Sequence, residues 1–317
     1  MENNTISQRI PKEHKIRTEL RRALFGDKMF CPHCGSPQVK KYGNRYRCKL
    51  CRKPFSLTSV SWLKGMKLPL QVFWLVLWCW TNKAPIDQAK NTCGLSELTI
   101  RRWYKKFRDH LPKEPFDNLR LSGTVQMDEA YRGGKKKGYA IIGAKQVANR
   151  GKPSKMALQV IDKPSVNRNE VLNLMIQTIK PGSQFNTDGA AIYKGIENWW
   201  PVIHNYDIHS KFEFSQTSEI EGLWGNLFTF IRRMYHHTTK QNIAGMVHEF
   251  SARAMFPSWF DDPDNYIRVS IAKVYRPIRK EWRGQYQSKK KVKNFFQLQN
   301  DTLPFTLKAD VLVSVPS

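Results

Sequence analysis

The sequence predicts an α/β domain preceded by a small cysteine-bound ribbon and a helical segment, on three observations. Four cysteines recur in the knuckle spacing C-x2-C-x13-C-x2-C, at Cys31, Cys34, Cys48 and Cys51. Residues 68–111 carry apolar stripes of helical period broken by short turns. From about Gly123 the pattern changes to alternating apolar strands, "TVQMDEAY", "GYAIIGAK" and "KMALQVID", and then to helices and strands in turn. A period of two marks half-buried strands, and a period of 3.6 marks amphipathic helices.

These patterns divide the 317 residues into a basic N-terminal segment (1–26), the ribbon (27–60), a helical segment (61–115), the α/β domain (120–260) and a basic C-terminal extension (265–317). Hydrophobic residues make up 40% and aromatics 12%, enough for packed cores. The 53 Lys+Arg against 26 Asp+Glu give a formal charge of +27, a field that attracts polyanions, of which nucleic acid is the commonest. The most apolar run, "LPLQVFWLVLWCW", is too short to span a bilayer and reads as a buried helix. No membrane partner is therefore expected. The N-terminal residues lack the apolar core of a secretion signal, so a cytoplasmic, nucleoid-associated protein with reduced thiols is expected.

In the ribbon, two C-x2-C knuckles place four thiolates at the corners of a tetrahedron, the coordination that structural zinc prefers. Disulfides are disfavoured in a reducing compartment. Cys79 and Cys93 fall in apolar helical patterns and read as packing residues. Seven Lys and Arg residues between Lys40 and Lys53 suggest that the ribbon touches phosphate.

Helices are predicted over 68–81, 85–92 and 96–111, with "NTCGLSE" supplying a glycine turn and then Ser96 as a helix start. Helix, short turn, helix is the helix-turn-helix order. In the third helix Ile100, Trp103, Tyr104 and Phe107 form one apolar face, and Arg101, Arg102, Lys105, Lys106 and Arg108 fill the remainder. The pattern predicts a recognition helix in the major groove of double-stranded DNA, with Arg101, Arg102, Lys105 and Lys106 as its contacts.

The stretch "VQMDEAYRGGKKKGYAIIGAK" sets Asp128-Glu129 in the middle of an apolar strand, where a carboxylate costs free energy unless something positive meets it. Three antiparallel strands, a helix, and further strands alternating with helices give the order of an RNase H-like α/β fold. In that order Asp128 lies mid-strand and Asp188 ends the fourth strand as its spatial neighbour. The helix beginning near Thr217 brings Glu219 or Glu221 to the same edge. Three such carboxylates can hold two divalent ions about 4 Å apart, the arrangement used in phosphodiester cleavage. Lys135, Lys136 and Lys137 would meet the DNA backbone. Glu129 is expected on the opposite face from Asp128, because strand side chains alternate.

"MDEAYRGGKKKG", "NTDGAAIY" and "SEIEGLWGNLFTFIRRMYHHTTK", behind a zinc ribbon and helices, resemble the DDE transposases of short bacterial insertion sequences of the Merlin-related type. The likeness covers about residues 31–256. It implies magnesium-dependent cleavage at inverted-repeat ends, transfer of the freed 3′-hydroxyl to target DNA, and homo-oligomers assembled on DNA, with Asp128 and Asp188 as the first two acids. The family commonly reads Asn-Thr-x-Glu where this chain has Thr217-Ser218-Glu219-Ile220-Glu221. Helical periodicity leaves Glu219 and Glu221 as alternatives, flanking the apolar stripe by about 100° on either side. The family's "IEGLW" pattern favours Glu221, 33 residues beyond Asp188. A domesticated, catalytically inactive zinc-ribbon regulator and a junction nuclease are the rival readings.

Overall fold

The computed structural model describes residues 10–133, 138–147, 155–207 and 217–277. The chain forms two compact units: the described parts of Asp27–Ser56 with Val274–Ser317, and those of Met1–Gly26 with Leu57–Lys273. The expected basic loop of Lys135, Lys136 and Lys137 lies outside the described residues.

The smaller unit is an antiparallel three-stranded sheet of β1 (Val39–Tyr42), β2 (Arg45–Cys48) and β3 (Pro54–Phe55) in that order. It has almost no apolar core: Tyr46 stacks on Phe55 at 5.6 Å, and the cysteines form the remaining buried cluster. The chain returns to this ribbon after residue 273. Arg276 Nε donates to the Gly35 carbonyl at 3.0 Å, and a Cβ on Gly35 would lie 2.2 Å from the Pro277 carbonyl oxygen. Gly35 also has φ +68°, so this close approach admits glycine alone.

In the larger unit α1 (Glu13–Phe25) turns Ile16, Leu20 and Leu24 inward. Its 0, 4, 8 spacing is a narrow apolar stripe, and it makes a packed helix of a segment expected only as basic. Helix α2 (Leu70–Thr81) is apolar on nearly all sides and is correspondingly buried, Phe73, Val76, Leu77 and Trp80 completely. Helix α3 (Ile86–Cys93) ends at Gly94, whose φ of 62° makes the sharp turn into Ser96. The Ser96 side chain accepts from the Thr99 N–H at 3.3 Å and opens α4 (Glu97–Asp109). The predicted stripe of Ile100, Trp103, Tyr104 and Phe107 is the buried face. A short helix α5 (Glu114–Asp117) leads into the sheet.

The sheet contains β4 (Thr124–Arg132), β5 (Tyr139–Gln146), β6 (Lys155–Ile161), β7 (Gln184–Asp188) and β8 (Ile203–Asp207), in the order β6-β5-β4-β7-β8. Strands β4, β5 and β6 are antiparallel, while β7 and β8 run parallel to β4 and each other. This is the RNase H-like arrangement. Helix α6 (Arg168–Thr178), begun by a reciprocal Asn167–Glu170 cap, packs Val171, Leu174 and Met175 against Val125, Met127 and Phe185 on one face. Helix α7 (Ser218–Tyr235) crosses the other face over β4 and β5, and α8 (Lys240–Met255) runs against β6.

The last helix, α9 (Pro263–Ser270), reaches into the stretch expected as a basic C-terminal extension from residue 265. Asp262 accepts from the Asn265 N–H at 2.8 Å and Pro263 takes the first helical position, two ordinary helix-start signals. Fully buried Tyr266 then donates to the Phe107 carbonyl at 2.9 Å.

A buried charged network joins the helical segment to the sheet domain. Glu249, fully buried, takes Arg253 at 2.9 Å, Arg108 at 3.9 Å and the Tyr235 hydroxyl. Arg253 also donates to the carbonyls of Trp80 at 2.6 Å and Thr81 at 3.0 Å. Helices α2, α7 and α8 thus meet on one set of ionic hydrogen bonds, and Arg108 brings α4 to it as a longer ion pair. Among the described residues no helix is long and apolar enough to cross a membrane.

Candidate active site and metal centre

Strand register brings the first two acids together. Thr124, Val125 and Gln126 of β4 pair with Gln184, Phe185 and Asn186 of β7, and the same register carried two residues further sets Asp128 level with Asp188. Both lie on the face crossed by α7. Asp188 Oδ1 accepts from the Ala190 N–H at 3.1 Å, which orients it where the chain leaves β7.

Three contacts hold the start of α7 over this face. Buried Gln126 accepts from the Ile220 N–H at 2.9 Å, a donor it shares with the Thr217 carbonyl at 3.1 Å in the first turn. Lys145, the cross-strand partner of Gln126, binds the Glu219 carboxylate at 2.6 Å and its carbonyl at 3.2 Å. One turn on, the Trp224 indole donates to Asp128 Oδ2 at 2.8 Å. With Glu219 drawn toward Lys145, helix geometry turns Glu221 about 160° away. Glu221 is exposed, within 3.5 Å of the Thr217 hydroxyl, and its charge reaches Asp128.

The electrostatics of the two strand acids on β4 differ in their causes beyond burial. Burial raises the Asp128 carboxyl above its usual range, and the charges of Asp188 and Glu221 push it further; the Trp224 N–H and the backbone N–H of Glu129 oppose them. Glu129 points to the opposite face as expected. There the Tyr193 and Tyr131 hydroxyls donate to it, and burial lifts its value to about 7 despite them. The three acids, carried on separate elements and sharing one face, form a donor set suited to hard divalent ions. They are not drawn together as the cysteines are: among the described residues only Cys31, Cys34, Cys48 and Cys51 bring three or more ligand atoms within 4.8 Å of one another.

The cysteine geometry fits zinc. Sγ separations are 3.6 Å for Cys31–Cys51 and for Cys34–Cys48, far beyond a disulfide length and close to the roughly 3.8 Å edge of a tetrahedron with 2.3 Å Zn–S bonds. Burial raises the Cys31 and Cys34 thiols; at Cys48 burial is again the largest cause, but the backbone N–H groups of Cys51 and Leu50 and the Cys34 and Cys51 thiols together outweigh it and bring it to about 7. Cys79 and Cys93 face each other across α2 and α3 with Sγ atoms 3.8 Å apart.

On α4, Arg102, Lys105 and Lys106 are exposed, Lys105 pairing with Asp109 and Lys106 lying over Trp103. Arg101 is half-buried, bonded to Glu97 at 2.6 Å and to the Tyr235 carbonyl at 3.2 Å. Arg108, read from the sequence as part of the solvated face, is 6% exposed against Glu249. Sequence reasoning missed Gln126, Gly143, Lys145 and Trp224. The hairpin register carried a signal for them, since it pairs Gln126 with Lys145 and Asp128 with Gly143 on one face.

Among known proteins, the family model of the ISXO2-like transposase domain matches residues 120–254. A comparison with curated proteins gave no match. Among solved structures, a chain of the simian T-cell lymphotropic virus intasome in complex with PP2A regulatory subunit B56 gamma is 10% identical, with a TM-score of 0.31 over 55% of this chain and 66% of that one. That likeness is too slight to bear on the argument. The sheet order and the family match over residues 120–254 support a DDE transposase of an insertion sequence, its α/β part similar to the ISXO2-like transposase domain and following a four-cysteine ribbon in the sequence.

Proposed function

We propose that the chain is the transposase of an insertion sequence, cutting DNA at the element's inverted-repeat ends and joining the 3′-hydroxyl ends to target DNA. The observation that carries this reading is the register of Asp128 with Asp188, with Glu221 carried over them by α7, inside a domain of a transposase family.

Asp128, Asp188 and Glu221 would hold two magnesium ions, which when bound activate a water or 3′-hydroxyl and stabilise the leaving oxygen. Within the chain, Trp224 fixes the Asp128 carboxylate, Gln126 and Lys145 fix the phase of α7, and Lys145 keeps Glu219 out of the cluster. Arg102, Lys105 and Lys106 on α4 would read the terminal repeat, while Arg101 is engaged within the protein. Structural zinc would hold the ribbon. Assembly as a homo-oligomer on DNA and cytoplasmic residence belong to the same proposal.

The test is a cleavage and joining reaction with the purified protein, magnesium and DNA carrying the inverted repeats that flank its coding sequence. Nicked ends and joined products are expected from the native chain, and none from Asp128→Asn or Asp188→Asn. A native protein that binds these ends yet yields no cleavage with magnesium or manganese would overturn the catalytic reading.

A further inference from the structure

Helix α7 carries more than Glu221 on its exposed side. Gly222, Gly225, Asn226, Thr229 and Arg233 follow one another along the same face, all exposed. A Cβ placed on Gly222 or Gly225 would meet nothing within 4 Å, so between Glu221 and Asn226 this face is bare helix open to solvent. Beyond it the helix enters a cleft of about 550 Å³ formed with the turn after α2 and with α8.

The cleft has two chemical parts. Lys83, Asn226, Thr229 and Arg233 supply cations and neutral donors at its wall, and no acidic side chain lines it. Among the described residues, neither Lys83 nor Arg233 has a carboxylate partner. Half-buried Phe230 and Phe250 also line it, their rings 5.8 Å apart and tilted by 49°. Arg253 also reaches the cleft, but Glu249 and two carbonyls already occupy its guanidinium.

Lys83 is a second, independent pointer. Its φ is +57°, a left-handed conformation that costs a non-glycine residue about 1 kcal/mol. The tight turn between α2 and α3 would be served better by glycine. A lysine there brings a positive charge to the cleft at the expense of backbone strain.

We infer that this cleft binds one unpaired nucleotide of a DNA strand, its phosphate held by Lys83 and Arg233 and its base set against Phe230 and Phe250. Bases stack on aromatic rings whatever their identity, and a base stacked inside a duplex has no free face to offer them. Twelve residues of α7 separate Glu221 from Arg233, about 18 Å of helix, which is the length of about five base steps. The strand would reach the cleft along the side-chain-free face at Gly222 and Gly225. This inference rests on the proposed function, since it names a further contact for the same DNA.

Fluorescence anisotropy in EDTA, where no cutting occurs, tests it with two probes: a blunt duplex and the same duplex with a single-stranded arm. The native chain should prefer the armed duplex, and Lys83→Gly combined with Arg233→Ala should lower affinity for the arm about tenfold while leaving blunt-duplex binding nearly unchanged. Lys83→Gly alone should be at least as heat-stable as the native protein yet bind the arm less well, a split that a merely structural lysine would not give. Equal affinity of native and doubly substituted chains for the arm, or no native preference for it, overturns the cleft assignment and leaves the transposase reading standing. Failure of the native chain to bind either DNA overturns both.

Discussion

The indole of Trp224 and the carboxylate of Asp128, 96 residues apart in sequence, meet in a 2.8 Å hydrogen bond. Gly143 makes it possible. It is the cross-strand partner of Asp128, and a Cβ there would lie 2.7 Å from Trp224 Cη2 and 2.6 Å from Leu158 Cδ2. The absent side chain is the seat in which the indole lies. Trp224→Phe keeps most of the ring but loses the donor, so cleavage should fall about tenfold and the magnesium requirement should rise, with thermal stability nearly kept. Gly143→Ala should cost about 1–3 kcal/mol of stability, because the sheet face has no room for the methyl. Magnesium titration of initial rates, with thermal melts, checks both.

The two candidate third acids should separate cleanly in function. Glu221→Gln should lose at least about a hundredfold in cleavage, since it removes a charge that the divalent ions need. Glu219→Gln should stay within a few-fold of native activity, because its carboxylate serves Lys145. An active Glu221→Gln protein would remove Glu221 from the acid cluster.

Zinc should be stoichiometric and confined in its effect. Protein purified without chelator should hold one zinc per chain by atomic absorption, and Cys48→Ser should lose it. Melting of the α/β unit should change little, because the larger unit has a core of its own.

Breaking the buried ionic network should be the costliest substitution outside the sheet core. Arg253→Met leaves the 0%-exposed Glu249 without its closest cationic partner, for which about 3–5 kcal/mol is expected. Urea unfolding of the native and substituted chains measures it.

Asp264 should make stability depend on pH in the acid range. Burial first, then the charges of Glu19 and Asp262, raise its carboxyl from 3.8 to about 6, against the pull of Arg268. A folded value above the unfolded one favours the protonated form, so this contribution is full below about pH 4 and is lost as pH rises through 6. Asp264→Asn should therefore stabilise the protein at pH 7.5, by at most about 1 kcal/mol since the group is partly screened, and should be neutral near pH 4. Melting temperatures at the two pH values decide it.

Local signals in the sequence marked the cysteine knuckles, the Gly94–Ser96 turn and the strand carrying Asp128, because spacing and period act over a few residues. Helix α1 was legible too, in the spacing of Ile16, Leu20 and Leu24, but its many charges masked the narrow stripe. Helix α9 was legible in Asp262-Pro263, a helix-start pair, but the basic residues beyond it read as an extension. Arg108 could not be told from its exposed neighbours, since what buries it is Glu249, 141 residues further on. What separates Glu219 from Glu221 in the fold is Lys145, a residue of another strand, which holds the Glu219 carboxylate. Long-range partners, rather than weak local patterns, account for most of what the sequence withheld.

The helix proposed to read DNA and the helix bearing Glu221 are clamped at one spot: Arg101 on the Tyr235 carbonyl, Arg108 beside Glu249, and the Tyr235 hydroxyl on the same carboxylate. On the proposed function, reader and cutter would therefore be parts of one caliper rather than two heads on a tether. The span between the bases recognised and the bond broken would then be set by the jaws of this tool. An element whose terminal repeat gained two or three base pairs between those points would, on that reading, not be cut at a shifted position; it would slip out of gauge and go uncut.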